Sequence, residues 1–247
     1  MLPSLFITLS VFSIALLEAK HLPSYIVPCK KSDPNLNTCA KQHAIDATAR
    51  ILHGDRSYKI PSFTPFSIPL IDVKGTTGIT FQLKDLKLYG LNTTQIKDVN
   101  FDLPNNHMYV KVFIPQTQTI SQYLMDGKLL SLVIKGEGPA EIISDNVTVE
   151  YFIDYVLINK PDGKRYVDVD ALKTNLTLNF SKTHYNFGNL FGGNKLLGDN
   201  FNNLLNENPK EVDEISGGTN KVIISSIVSS IFNPIFKAVP FDDIFID

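Results

Sequence analysis

Between Asn208 and Val239, apolar residues fall in adjacent pairs every four positions: Ile223/Ile224, Ile227/Val228, Ile231/Phe232 and Ile235/Phe236. At about 100° per residue each step turns a pair by about 40°, so three steps carry the apolar stripe over roughly 220°. An ordinary surface helix shows a stripe of only about 100°. Ser225, Ser226, Ser229 and Ser230 lie between the pairs and let another layer come close. The stretch opens with Asn208, Pro209 and Glu211, the residue types of an N-cap, a first helical position and a capping box. One helix over 208–239 is predicted, and it has to be surrounded.

Upstream patterns supply the wrapping. Ala40, Ala44, Ile45, Thr48, Ile51 and Leu52 keep helical spacing within 36–53, and Gly54 is placed to end that helix. It is one-sided and suits a cover. Tyr58 to Val73 carries Pro61, Pro65 and Pro69, which predicts an extended edge segment. Alternation of period two follows. Ile79, Phe81 and Leu83 resume as Leu86 and Leu88 after a bulge at Lys84-Asp85, then come Val99, Phe101 and Leu103 and a turn at Pro104-Asn105-Asn106. Met108, Val110, Val112 and Ile114 alternate against His107, Tyr109, Lys111 and Phe113. Leu130, Leu132 and Ile134 come next, up to a break at Gly136-Glu137-Gly138-Pro139. Val147 to Leu157 reads as a long strand, turned by Pro161-Asp162-Gly163 into Tyr166, Val167 and Val169, and Leu176 to Phe180 is the last.

A short helix, long one-faced strands and then helices over 194–206 and 208–239 make an α+β chain, expected as a single domain over 20–247. The long C-terminal helix would be wrapped by a strongly curved antiparallel sheet. A curled sheet closes its ends less tightly than a sandwich, which leaves room for an apolar internal cavity; a filled core satisfies the same pattern.

Composition narrows the partners. A net charge of −2 gives no electrostatic footing for nucleic acid or an anionic membrane surface. The apolar run Leu5 to Leu17 is too short to span a bilayer and suits a secretory h-region, although no basic n-region precedes it. A signal peptide over 1–19 and a secreted, extracellular, soluble mature protein are expected. No other segment reaches transmembrane length without charge or Pro, so no stable membrane insertion is expected, and the chain is expected to act as a monomer.

Asn92, Asn146, Asn175 and Asn179 each open an Asn-x-Ser/Thr glycosylation acceptor. Glycans need solvent, so Asn175, Thr177 and Asn179 mark the outer strand face and Leu176, Leu178 and Phe180 the inner one. By the same argument Asn146, Thr148 and Glu150 lie outside, with Val147, Val149 and Tyr151 inside. Cys29 and Cys39 are the two cysteines, and an oxidising compartment favours their pairing as a disulfide. Closing so short a loop would contribute roughly 2.5–3 kcal/mol on the chain-entropy model.

The search for catalytic chemistry returns little. Gly188 to Lys195 is a near miss to a phosphate loop, with Asn194 displacing the lysine and no Ser or Thr after it, and it reads as a turn before a helix. His21, His43, His53, His107 and His184 are scattered. Asp168 and Asp170 read as solvated, and no Gly-x-Ser-x-Gly elbow occurs. No enzyme activity, metal or cofactor is expected.

The segment from Pro28 to Cys39, with Asp33-Pro34-Asn35-Leu36-Asn37 between the cysteines, resembles the N-terminal signature of the insect takeout and juvenile-hormone-binding protein family. Ile60-Pro61-Ser62 with Pro65 and Ile68-Pro69, the run Phe201 to Asn208, and the tail Val239 to Phe245 resemble the later parts of that family. The resemblance covers essentially the whole mature chain. It implies the α/β-wrap of the tubular lipid-binding proteins and a haemolymph carrier of a small hydrophobic ligand: juvenile hormone or another terpenoid, a fatty acid or a related lipid. Relatives are linked with feeding, circadian output and behaviour. The chain departs from the pattern at Pro209, where relatives usually carry Trp, and it has no Trp at all. It also lacks the additional cysteine pair of the moth haemolymph carriers, which places it nearer the takeout branch. Inward residues expected to touch a ligand are Phe81, Leu83, Val110, Val112, Leu132, Val149, Tyr151, Ile153, Tyr155, Leu178 and Phe180, joined by Ile227, Ile231 and Phe232 from the helix. Tyr151 and Tyr155 would each offer a hydroxyl. The competing reading is a secreted regulatory protein with a filled core that acts through its surface.

Overall fold

The computed structural model of the chain describes residues 19–74, 80–129, 132–209, 212 and 218–247, without the side chains of Val73, Lys74, Leu129 and Leu132. The expected signal peptide, except Ala19, and Glu211 of the expected capping box lie outside these residues. The elements are β1 (Cys29–Lys30), α1 (Leu36–His53), β2 (Phe66–Lys74), β3 (Thr80–Tyr89), β4 (Gln95–Asp102), β5 (His107–Leu129), β6 (Leu132–Asp154), β7 (Leu157–Asn159), β8 (Arg165–Val167), β9 (Lys173–Asn179), β10 (Lys182–Phe187), α2 (Lys195–Glu207), α3 (Thr219–Ala238), α4 (Phe241–Ile244) and β11 (Phe245–Ile246).

One antiparallel hairpin, β5 and β6, is the spine, paired from His107↔Asp154 to Leu129↔Leu132. On the β5 side, β4 flanks the first half and β3 with β2 the second. On the β6 side, β9 and β10 do the same. β2 is a sheet edge, as its prolines predict, and the bulge at Lys84-Asp85 is present, with Asp85 at φ 52°. The sheet curls hard. β3 and β10 are three strand spacings apart, about 14 Å in a flat sheet. Yet the Phe81 and Phe187 rings lie 6.1 Å apart, centroid to centroid.

Two expected interruptions are absent because each has a local remedy. β5 runs straight through residues 115–129, which carried no strand signal. Pairing passes from Ile114↔Val147 to Gln116↔Asp145, so Pro115, which has no N–H to donate, and Asn146, at φ 53°, are skipped together. Each strand thereby changes the face it turns inward: Ile114 and then Thr119, Ser121, Tyr123 and Met125 are buried on β5. β6 likewise runs through Gly136 to Pro139. There the glycines make room, since a Cβ on Gly136 would lie 2.5 Å from the Tyr123 hydroxyl and one on Gly138 2.8 Å from the Gly188 carbonyl. The long strand also ends earlier than read: Leu157 belongs to β7, the β7–β8 hairpin stops at Val167, and β10 follows the strand expected to be last.

The predicted helix over 208–239 is divided. Asn208 caps the end of α2, its side-chain amide donating to the Leu204 carbonyl, and its own carbonyl accepts from Val212 N–H at 3.1 Å. Gly218 then takes a left-handed conformation (φ 79°) that L side chains avoid, and α3 starts at Thr219. α3 is long and apolar enough to cross a membrane by composition, but here it lies within the curled sheet, and along it Lys221, Val222 and Lys237 alone are exposed. Residues 36–53 form α1 as read, ended at Gly54, and Cys29 and Cys39 are joined as a disulfide.

Two polar devices close the wrap. β10 is a sheet edge, and α2 satisfies it with side chains. Asn202 accepts from Phe187 N–H (2.9 Å) and donates to Phe187 C=O (3.0 Å); Asn206 does the same for Tyr185 (2.6 and 3.0 Å). Two amides one helical turn apart thus stand in for a neighbouring strand. At the other end, β1 pairs with β11, and Asp242 receives Arg165 through two nitrogens (2.6 and 3.1 Å) and Lys31 at 2.6 Å.

Replacing either Asn202 or Asn206 with Ala strands an edge N–H and C=O, and urea titration should show a loss of about 1–3 kcal/mol for each. Asp242 is held below the usual carboxylate range, first by Arg165 and, against the cost of burial, by Lys31. Its stabilisation is therefore complete above the unfolded value of about 4 and is lost as pH falls through the lower folded value. Asp242→Asn should cost up to about 1 kcal/mol at neutral pH, the carboxylate being partly exposed. The gap in Tm between variant and parent should close in acid.

Candidate functional site

The space between α3 and the inner face of the sheet is not filled. A cavity of about 430 Å³ runs there, within the range of small-molecule sites. Its lining reaches along β5 from Met108 to Met125 and along α3 from Thr219 to Phe236. α1 covers one side with Ala40, Ala44, Ala47, Thr48, Ile51 and Leu52, small and apolar residues on its inner face. Asn37 holds α1 to β4 by accepting from Phe101 N–H at 2.7 Å. Among the described lining residues there is no Asp, Glu, Lys or Arg.

Most of the expected ligand-facing residues meet here. Phe81, Leu83, Val110, Val112, Val149, Tyr151, Leu178 and Phe180 line the cavity from the sheet, and Ile227, Ile231 and Phe232 line it from α3. Ile153 and Tyr155 do not. They belong to a separate packed cluster with Val167, Phe241 and Phe245 at the latched end. Burial, with a smaller contribution from Asp102, pushes the Tyr155 hydroxyl up to about 12, and that hydroxyl has no hydrogen-bond partner among the described residues. Leu132 sits at the hairpin end of β6, and its side chain lies outside the description. Reading the sequence missed Thr117, Thr119, Ser144 and Thr183, which also line the cavity. Pro115 within an otherwise alternating run was the available signal for the change of face.

Other candidate chemistry resolves into structure. Gly188 to Lys195 is a turn, and Asn194 caps α2 by accepting from Leu197 N–H at 3.1 Å. Cys29, Cys39 and His43 cluster within 4.8 Å, but the thiols are spent in the disulfide and His43 Nδ1 sits 2.8 Å from the Val27 carbonyl. Tyr123 donates to the Gly188 carbonyl at 2.8 Å, and burial pushes its hydroxyl up to about 12. Asn92, Asn146, Asn175 and Asn179 are all exposed on the outside.

The family model described as haemolymph juvenile hormone binding protein matches residues 6–246. The chain belongs to this family. Among individual relatives, it is 23% identical over 238 residues to the circadian clock-controlled protein daywake of Drosophila melanogaster, covering 92% of this chain and 89% of that one. It is 28% identical over 96 residues to a putative beta-carotene-binding protein of Schistocerca gregaria, 38% of each chain. The solved structure of takeout 1 from Epiphyas postvittana superposes with a TM-score of 0.73 at 24% identity, over 88% of this chain and 98% of that one. The α+β wrap is therefore the fold of the takeout branch as well.

Within this family member, Tyr155→Phe removes an unpaired buried hydroxyl without opening a cavity. It should leave stability unchanged or raise it by up to about 1 kcal/mol in thermal unfolding, and it should leave ligand affinity unaltered.

Proposed function

We propose that the protein is a secreted carrier that sequesters a small, elongated hydrophobic ligand in the lumen between α3 and the sheet. The observation that carries this reading is a predominantly apolar lining that, among the described residues, holds no Asp, Glu, Lys or Arg. Such a lumen favours a ligand through removal of apolar surface from water, about 25 cal/mol per Å². Family membership and the carotenoid named for the Schistocerca relative point the same way, toward terpenoids and other lipids. The disulfide and the four exposed acceptor asparagines suit an extracellular glycoprotein. α1, held on β4 by one side-chain hydrogen bond and small apolar contacts, is the element that would lift to admit the ligand.

Native mass spectrometry of protein secreted from insect cells, followed by solvent extraction, tests this directly. The expected result is a stoichiometric lipid that competes with added terpenoid or long-chain lipid. Ile231→Trp, which fills the lumen from α3, should reduce retained lipid at least about tenfold while the protein stays folded by circular dichroism. A clean apo mass, with no uptake from a lipid panel, would instead leave a protein acting through its surface.

A further inference from the structure

Beyond the change of face in β5 and β6, the lumen is not uniformly apolar. Thr117 and Ser144 are cross-strand neighbours, and Ser144 is in turn paired with Thr183 of β10. Ser144 Oγ and Thr183 Oγ1 are 3.1 Å apart. Thr119 follows Thr117 on the same face, so three adjacent strands present four hydroxyls to one part of the cavity.

These hydroxyls are short of partners. Thr119 is 9% exposed and Thr183 4%. Among the described residues no group hydrogen-bonds the Thr117 or Thr119 hydroxyl, whereas the Thr119 side chain faces the lumen. Ser121, two residues further on the same face, has a fully enclosed and unpaired Oγ. In the Ser144–Thr183 pair one hydroxyl donates to the other, which leaves one proton free. Buried hydroxyls left unpaired cost free energy that an incoming acceptor would recover. Apolar residues flank the group on both sides, Ile114 and Val147 toward one end and Met125 and Ile134 toward the other.

We propose that Thr117, Thr119, Ser144 and Thr183 form a polar station that binds one uncharged oxygen acceptor, such as an ester, ketone or ether oxygen, part-way along an otherwise apolar ligand. This rests on the carrier reading and selects within it. An ionised carboxylate is disfavoured, because the station offers neutral hydroxyl donors and no Lys or Arg among the described lining residues offsets the burial of a charge, while His43, on α1, has its Nδ1 2.8 Å from the Val27 carbonyl. The station thus separates neutral lipids from free fatty acids.

The test is displacement of a lumen-bound fluorescent probe by methyl palmitate, by palmitate at about pH 8, where the acid is ionised, and by heptadecane. Methyl palmitate should displace the probe at lower concentration than palmitate. In Thr119→Val/Ser144→Ala, the ratio of ester to alkane affinity should fall about three- to tenfold. Thr119→Ser, which keeps the hydroxyl, should retain the ratio of the unmodified protein, and circular dichroism verifies that each variant is folded. An unchanged ratio in the double variant, or palmitate bound as tightly as its ester, overturns the station and leaves the carrier reading standing. Probe and lipids all failing to bind the unmodified protein would overturn both.

Discussion

A helix of 20 residues whose apolar pairs precess around its axis cannot lie on a surface, and the rest of the fold follows from hiding α3 from water. A flat sheet would cover one side of it. The β5–β6 hairpin is long enough to bend around it, and each half of the hairpin has its own flanking strands. The skipped pair Pro115 and Asn146 lets both long strands turn a fresh face inward where the wrap changes from one half to the other. Without that change, Gln116 and Gln118 would face α3 in place of Thr117 and Thr119.

The wrap leaves open edges, and side chains close them more than further strands do. α2 spends Asn202 and Asn206 on the β10 edge, which would otherwise invite pairing with another chain. The latch around Asp242 ties β1, β8 and the C-terminal turn together with charges that stay at the surface. Among the described lining residues there is no carboxylate, Lys or Arg, and the enclosed space is left mostly to hydrocarbon, with several hydroxyls, His43 and Asn220 at its wall. A curled sheet and a cylinder do not fit closely, and the misfit is the cavity. The cavity on which the proposed carrier function rests and the mechanical problem of wrapping α3 have the same geometric origin.

Much of this was legible from residue patterns. The paired isoleucines of 223–236 demanded enclosure, the prolines of β2 marked an edge, and the Cys29–Cys39 segment with the Phe201 to Asn208 run carried the family resemblance. The Phe201 to Asn208 run gains its physical meaning only in three dimensions, since nothing local to Asn202 or Asn206 says that each will bracket one residue of a strand fifteen or more positions away. Tyr155 and Ile153 show the opposite error. They continue the inward alternation of Val149 and Tyr151, and pattern alone cannot tell an inward residue that meets a lumen from one that meets Phe241.

What the sequence determined by itself is whatever depends on neighbours along the chain: which residues are apolar, at what period, and where Gly, Pro or Asn permits a turn. These were enough for an apolar helix, an antiparallel sheet and the sides of most strands. Tertiary structure decided the rest: the passage of β5 through Pro115 and of β6 through Gly136 and Gly138, the division of the last helix at Gly218, and the meeting of four hydroxyls from three strands. Those outcomes depend on whether a distant backbone supplies a partner or needs the space, and that information belongs to the packed arrangement of the whole chain.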